Sequence, residues 1–485
     1  MSTFKRLLKN TSVLILAKGV QPLISLFLII SISRKLGVDG LGIYVTILSY
    51  VEIFQIIAAF GLRNLLTREI AQDKSRARVL ISASMLISVV SAILAASLMA
   101  LAVNLISDEA QVVQGTMIVT LALIPAALCE AFEGIIGGFE KLTRVGFAWM
   151  GENFLRVGLS LVLIYTGYGI IEIIWVYIGV RYLKAIYYYF YIVKNLSRPA
   201  RGFSRESILG LLKKARVFAL IMVCVTIYWK ADVIMLQAMQ NSDAVGYYSA
   251  AYRFFMLSRI LVGGFITSLF PVISNYYRLS PDMFQSACKK SIRVLVVVTL
   301  PVAIAFSFFA TPILLMTFGE ALRPSAAVLR ILIWVIIPYA ISQVFAFALV
   351  ASNNQKYDFK VNALSMFSNI LLNFILIPRY SYLGATVATL ISIHIYVGFQ
   401  LPFILKGILN VRIREFLSAF SKIGLSGFAM ILVIVLGFHK LYFMILLPAA
   451  FAFYVVSLFL TGAIPNHDWQ EFMNLLRKPA HNKAV

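Results

Sequence analysis

The sequence predicts an all-α polytopic membrane protein of about fourteen spanning helices, set out as two six-helix lobes and two further helices. Three observations predict it. Apolar segments long enough to cross about 30 Å of hydrocarbon recur along the chain, basic residues crowd alternate connections, and motifs of the first half return in the second. Hydrophobic residues make up 61% of the chain and charged ones 13%, against roughly 25% charged in soluble domains. Helices packed in lipid, rather than one aqueous core, follow from that balance. In lipid a spanning backbone must satisfy its own polar groups, which helices do.

The segments run near 13–33, 42–62, 79–103, 112–132, 147–166, 170–193, 217–239, 247–273, 294–311, 325–351, 361–378, 383–405, 418–437 and 441–461. The first follows Lys5, Arg6 and Lys9 as a signal peptide's apolar core would. It is longer than such a core, however, and meets Arg34-Lys35 instead of a small-residue cleavage site, so it is read as a retained helix. Segments one to six form an N-terminal lobe, 1–200, and segments seven to twelve a C-terminal lobe, 201–410. Two additional helices occupy 411–463, and 464–485 is a polar tail.

The formal net charge is +23, which could suggest nucleic acid, but its placement argues for topology. Of 43 Lys and Arg, 30 fall on the even-numbered connections and the two ends, and only five on the odd-numbered connections. The positive-inside rule then puts both termini in the cytoplasm, in a multi-pass protein of the inner (cytoplasmic) membrane. The excess charge suits anionic lipid headgroups; no nucleic-acid partner is expected.

The two halves echo one another. Asp39-Gly40-Leu41-Gly42-Ile43-Tyr44 follows the first segment, and Asp243-Ala244-Val245-Gly246-Tyr247-Tyr248 follows the seventh, 204 residues later. Gly138-Phe139-Glu140-Lys141 leads into a segment carrying Asn153; Asn353-Asn354-Gln355-Lys356 leads into one carrying Asn369. Gly169 before segment six matches Gly384 before segment twelve. Six helices per repeat preserve orientation, so the repeats are parallel, with a substrate site between them near the midplane and alternating access by rocking.

Chemistry finds little support. No Walker loop, H-E-x-x-H or nucleophile elbow occurs, and Asp108-Glu109 is the one adjacent acidic pair on the outer connections. The three cysteines are scattered in or beside apolar segments, which suits small packed residues better than a disulfide framework or metal site. No enzyme activity, cofactor or metal is expected; movement of a molecule across the membrane is.

Charges inside spanning segments cost roughly 2.5–3.5 kcal/mol each, so each needs a reason. Glu152 and Arg156 are spaced i, i+4 and can pair along one helix. Arg181 and Lys184 share a face of segment six, and Glu130 and Glu133 (the latter expected at a helix end) could be their partners. That group is either a structural ion-pair network or part of a binding surface. Glu172 is also placed inside a segment. Lys18, Lys230, Arg253 and Arg259 lie on segments one, seven and eight, where a cationic cavity would grip an anionic headgroup such as a diphosphate. Asp232 is two residues from Lys230, so the pair cannot satisfy one another within the helix. Glu52 and Asp232 are candidates for coupling to a proton or sodium gradient.

The run Arg34-Lys35-Leu36-Gly37 through Gly42-Ile43-Tyr44 resembles the first-loop signature of Wzx-type polysaccharide flippases, within the larger group of multidrug, oligosaccharidyl-lipid and polysaccharide exporters. So do Lys230–Leu236 with Val245–Arg253, and Asn373–Pro378 with Gly384-Ala385-Thr386. The resemblance spans segments one to twelve. It implies a V-shaped, MATE-like two-lobe fold and translocation of a polyprenyl-diphosphate-linked oligosaccharide from the inner to the outer leaflet. Membrane lipids and other polysaccharide assembly proteins are the remaining partners it implies. Two other transport readings stand beside it: an ion-coupled drug or metabolite antiporter, which would favour an acidic cavity, and a lipid II flippase, separated only by substrate. A non-transporting assembly component is a third, but it would not need so many buried charges.

Overall fold

The computed structural model describes residues 3–200, 205–437 and 442–463, and the regular structure among them is helical throughout. α1 (Thr3–Ala59) carries the first two expected spans and breaks at Gly37, whose φ of 79° suits a residue without Cβ. A short helix, α2 (Leu62–Gln72), leads into α3 (Ala77–Ile106). The fourth span is α4 (Ala110–Val119) and α5 (Leu123–Gly138), joined by a 3₁₀ turn. α6 (Leu142–Tyr165) and α7 (Ile170–Asn195) complete the first half.

The second half begins with α8 (Arg205–Met239) and α9 (Ser242–Leu279). α10 (Pro281–Phe308), α11 (Ala310–Phe318), α12 (Ser325–Leu332) and α13 (Ile336–Ala351) follow. α14 (Gln355–Gly407) holds two expected spans and breaks at Ser381; α15 (Ile413–Gly437) and α16 (Phe443–Leu460) end the described chain. Ten helices among the described residues are long and apolar enough to cross a membrane, two of them holding two expected spans each. Large apolar side chains stand exposed on them, among them Leu94, Phe367 and Leu460, as lipid-facing surfaces require. The chain is a multi-pass, all-α membrane protein.

Two expectations are corrected. α5 runs on to Gly138, so Glu133 is inside it and 3% exposed, not at its end. The extension is possible because α5 docks on α2 through glycines: a Cβ at Gly134 would lie 2.5 Å from the Arg63 carbonyl oxygen, and one at Gly138 would lie 2.7 Å from Ile70 Cβ. Glu172 is in the first turn of α7, where its carboxylate accepts from the Gly169 N–H at 3.0 Å, a cap instead of a mid-membrane charge.

The chain forms two compact units. The first comprises Met1–Leu257, Leu314–Val328 and Met366–Thr389. In it α1 packs on α3, α6 and α8, and α5 on α2, α3 and α7. One apolar cluster in it joins Leu65, Leu66 and Ile70 of α2 to Phe132, Ile135 and Ile136 of α5 and Tyr188 of α7. The second unit comprises Ser258–Ile313, Leu329–Ser365 and Leu390–Val485, with α10 against α13 and α15, and α15 against α16. The Lys18 side chain and residues 464–485 lie outside the described residues.

Candidate functional site

In the first unit, charged side chains converge from several elements. α7 supplies Tyr177, Arg181, Lys184 and Tyr188, spaced to share one face. α6 supplies Glu152, Asn153 and Arg156, α5 supplies Glu130 and Glu133, and α1 supplies Glu52 and Gln55.

One part of this assembly is fully paired. Lys184 Nζ lies 2.7 Å from Glu152 and 3.7 Å from Glu133. Arg181 Nε lies 3.4 Å from the other Glu152 oxygen, its Nη1 donates to Gln55 Oε1 at 2.5 Å, and its guanidinium sits 4.7 Å from the Tyr177 ring centroid. Glu133 also accepts from Trp149 Nε1 at 2.7 Å and Tyr188 OH at 3.2 Å, and meets Arg63 at 3.2 Å. Arg63 reaches Glu130 at 3.8 Å and covers the Trp149 ring. Glu133 and Glu152 each meet two cations, and Glu133 gathers two neutral donors as well, which is what makes a buried ion network tolerable.

The pairing differs from the sequence expectation in one respect. Glu152 turns to α7 and not to Arg156 along its own helix; Arg156 Nη2 donates to Asn153 Oδ1 at 2.9 Å and Ser25 Oγ at 3.2 Å. Two cations across the helix interface outcompete one neighbour on the same helix. Of the proposed acidic partners, Glu133 meets Lys184, while Glu130 meets Arg63. Gln55 was legible only as a polar residue i+3 from Glu52.

The second part carries unmatched charge. Lys230 pairs with Glu52 at 2.8 Å, and the Glu52 side chain remains 52% exposed. A half-exposed carboxylate paired to lysine between two segments expected to span fits the wall of an aqueous space, since lipid would penalise both. Arg253 is half-buried, and no hydrogen bond or ion pair holds it among the described residues; Glu52 and Arg156 are among the charges that act on it. Arg156 likewise has no carboxylate partner among the described residues. Arg259 belongs to the second unit, where it lies 4.7 Å over the Tyr339 ring and donates to the Tyr339 hydroxyl at 3.3 Å.

Asp232 occupies a separate buried pocket and, as its spacing requires, leaves Lys230 to Glu52. Its Oδ2 accepts from Tyr248 OH at 2.9 Å and Thr389 Oγ1 at 2.7 Å, and its Oδ1 from Asn373 Nδ2 at 2.6 Å. Asn373 Nδ2 also reaches Asn369 Oδ1 at 3.0 Å, while the buried Asn373 Oδ1 has no partner. No cation among the described residues neutralises Asp232. The sequence marked Asn369 only as a repeat position; the i, i+4 pair Asn369 and Asn373 in an otherwise apolar span was the available signal.

The family model for polysaccharide biosynthesis protein matches residues 7–277, more than half the chain, and the MatE model matches 218–375. The chain is 21% identical over 376 residues, 74% of its length and 75% of the relative's, to "Probable low-salt glycan biosynthesis flippase Agl15" of Haloferax volcanii. Its fold is similar to that of the lipid II flippase MurJ in an inward closed conformation: TM-score 0.77, 18% identity, covering 95% of this chain and 99% of that one. It is also similar to an inward-facing MATE multidrug resistance transporter, with TM-score 0.65, 15% identity and coverage of 80% and 94%. Matched over more than half its length by that family's model, the chain belongs to the polysaccharide biosynthesis protein family.

Proposed function

We propose that this protein is a flippase that carries a polyprenyl-diphosphate-linked oligosaccharide from the cytoplasmic to the outer leaflet of the inner membrane, with both termini cytoplasmic and no covalent chemistry. The two six-helix lobes, 1–200 and 201–410, rock to give alternating access. The observation that carries the reading is the unmatched cation pair Arg253 and Arg156 beside Lys230–Glu52 at membrane depth. A guanidinium without a carboxylate is free to take a diphosphate bidentately. Lys18 and Arg259 are the further cations proposed to bind substrate. Arg181 and Lys184, held by Glu152, set the shape of its wall.

The family match and the flippase relative support the glycan-lipid substrate. The MurJ-like fold favours lipid II as the second reading, since it too is a polyprenyl diphosphate. The MatE match suits an antiporter, but the basic surplus of the site would repel a cationic drug. Asp232 is proposed to couple transport to a proton or sodium gradient. A buried carboxylate without a counter-charge takes up one or the other, and the Asn369, Asn373 and Thr389 oxygens are ligands of a hard cation.

Native mass spectrometry of the purified protein tests the function. A polyprenyl-diphosphate glycan should co-purify with wild type and be lost from Arg253→Ala; retention of phospholipid alone, or of an amphipathic drug, would sink the reading.

A further inference from the structure

α14 breaks at Ser381 and doubles back, so that the Tyr357 ring stacks 4.3 Å from that of Phe403. Its two limbs carry polar residues along one face each: Asp358, Ser365, Asn369 and Asn373 on the first, Thr389, Ser392, Tyr396 and Gln400 on the second. Seven of these eight are buried; Asp358, at the end nearest the tenth connection, is partly exposed. That connection is expected on the cytoplasmic side. Asn369, Asn373 and Thr389 serve the Asp232 pocket of the first unit, and the remaining five belong to the second.

Within the second unit the two limbs bond to one another. Ser365 Oγ donates to the Ser392 carbonyl at 2.7 Å. Asp358 Oδ1 accepts from Tyr396 OH at 2.8 Å and from Gln400 Nε2 at 2.7 Å, and no cation pairs with its carboxylate among the described residues. Lys356 and Lys360, two residues to either side, leave the helix on other faces, and Tyr357 gives its hydroxyl to the Phe399 carbonyl at 2.7 Å. The Gln400 amide oxygen is buried and, among the described residues, has no donor. The Asp232 pocket has the same feature: Asn373 gives its nitrogen to the carboxylate and its oxygen goes unsatisfied. A buried acceptor without a donor is costly. A neutral carboxyl and a primary carboxamide pair through two parallel bonds, N–H to one carboxyl oxygen and O–H to the amide oxygen. The first of these is present at Gln400; the second needs a proton on Asp358.

We propose that Asp358, held by Tyr396 and Gln400, is a second proton site of this protein, loaded from the cytoplasmic side. On uptake one proton passes from water to Oδ2, the carboxylate oxygen that no donor meets. An O–H bond forms and the carboxyl becomes neutral; release returns the proton to water. The binding of the proton rests on this geometry alone. Its part in transport rests on the flippase reading and on the coupling role of Asp232, to which it adds a second, inner carboxyl that changes charge in each cycle.

Infrared difference spectroscopy of the full chain in lipid nanodiscs reads the site directly. One component of the protonated-carboxyl band should titrate between mildly acid and neutral pH, above the ordinary carboxylate range of about 4. It should be lost in Asp358→Asn and kept in Asp232→Asn. Tyr396→Phe removes a donor to the carboxylate and should move the component upward by about one pH unit. A carboxyl that only ties the limbs together stays ionised in that range. Such a result, a titration unmoved by Tyr396→Phe, or displacement by sodium at constant pH would overturn the site. If Asp358→Asn does not fold, the Tyr396→Phe shift decides. In vesicles loaded with a fluorescent polyprenyl-diphosphate disaccharide, Asp358→Asn should cut the acceleration given by a proton gradient at least about fivefold. Undiminished acceleration, or none in wild type, would overturn its part in coupling. Wild-type vesicles that flip nothing would count against the flippase reading instead, and the infrared component would then decide the site alone.

Discussion

Two regions of one membrane unit handle charge in opposite ways. Around Glu133 and Glu152, each cation from α7 finds a carboxylate, and the Glu133 carboxylate gathers further donors. Around α8 and α9, Arg253 has no anion and Asp232 no cation among the described residues, although both lie in segments the sequence expects to span. The cost of bringing charge into lipid is offset by a partner in the first region and left open in the second. Under the proposed flippase function, the contrast separates charges that hold the unit together from charges kept available for a ligand.

The largest expected effect breaks the paired region. Glu152→Ala leaves Arg181 and Lys184 buried together and should cost about 3–5 kcal/mol, read as lost monodisperse protein and a lower unfolding temperature in detergent. Adding Lys184→Met should recover much of that loss. If the double variant is no better than the single one, the network is not what stabilises this region.

Arg253→Ala should do the reverse. Stability should stay within about 0.5 kcal/mol, while affinity for a polyprenyl-diphosphate probe falls roughly 10- to 100-fold, the worth of charged hydrogen bonds of about 1.5–3 kcal/mol. Equal losses in stability and binding would place Arg253 with the structural charges. Asp232→Asn should spare gradient-free flipping and remove its acceleration by a proton or sodium gradient, a coupling of about 1–3 kcal/mol. Acceleration that survives the change would exclude Asp232 as the coupling site.

The smallest effect sharpens the comparison outside the membrane, where unmatched charge costs little. The Asp39 carboxyl is pushed upward, first by partial burial and then by the neighbouring Glu109 and Asp243. A carboxyl raised in the folded protein binds its proton more tightly there than in the unfolded chain. Its contribution to stability is therefore present at low pH and lost as pH rises through the raised value. The unfolding temperature in detergent, compared between mildly acid and neutral pH, should change less for Asp39→Asn than for wild type; equal changes would exclude Asp39 as the group responsible.

Much of the scaffold could be read from residues alone. The expected spans fall on helices, Lys230 and Asp232 separate as their spacing requires, and the Asp39 and Asp243 motifs prove to be spatial counterparts. Pairing was less legible. Arg156 and Glu152 have a spacing that permits a bond along the helix, but Arg181 and Lys184 arrive from another helix and take the carboxylate. Thr389, 157 residues from Asp232, carries no local mark of its role.

The division has a physical basis. Hydropathy, span length and the placement of Lys and Arg act on each segment separately, since insertion into lipid is decided segment by segment; so the sequence by itself determined that this chain spans the membrane as helices and repeats itself. Which carboxylate meets which cation depends on helix rotation and depth, set by close packing at glycines such as Gly134 and Gly138 on α2 and by competition among partners distant in sequence. Only the tertiary structure decided that Glu133 would meet two cations and two neutral donors, that Arg253 would have no anion among the described residues, and that two glycines 204 residues apart would press onto each other's motif.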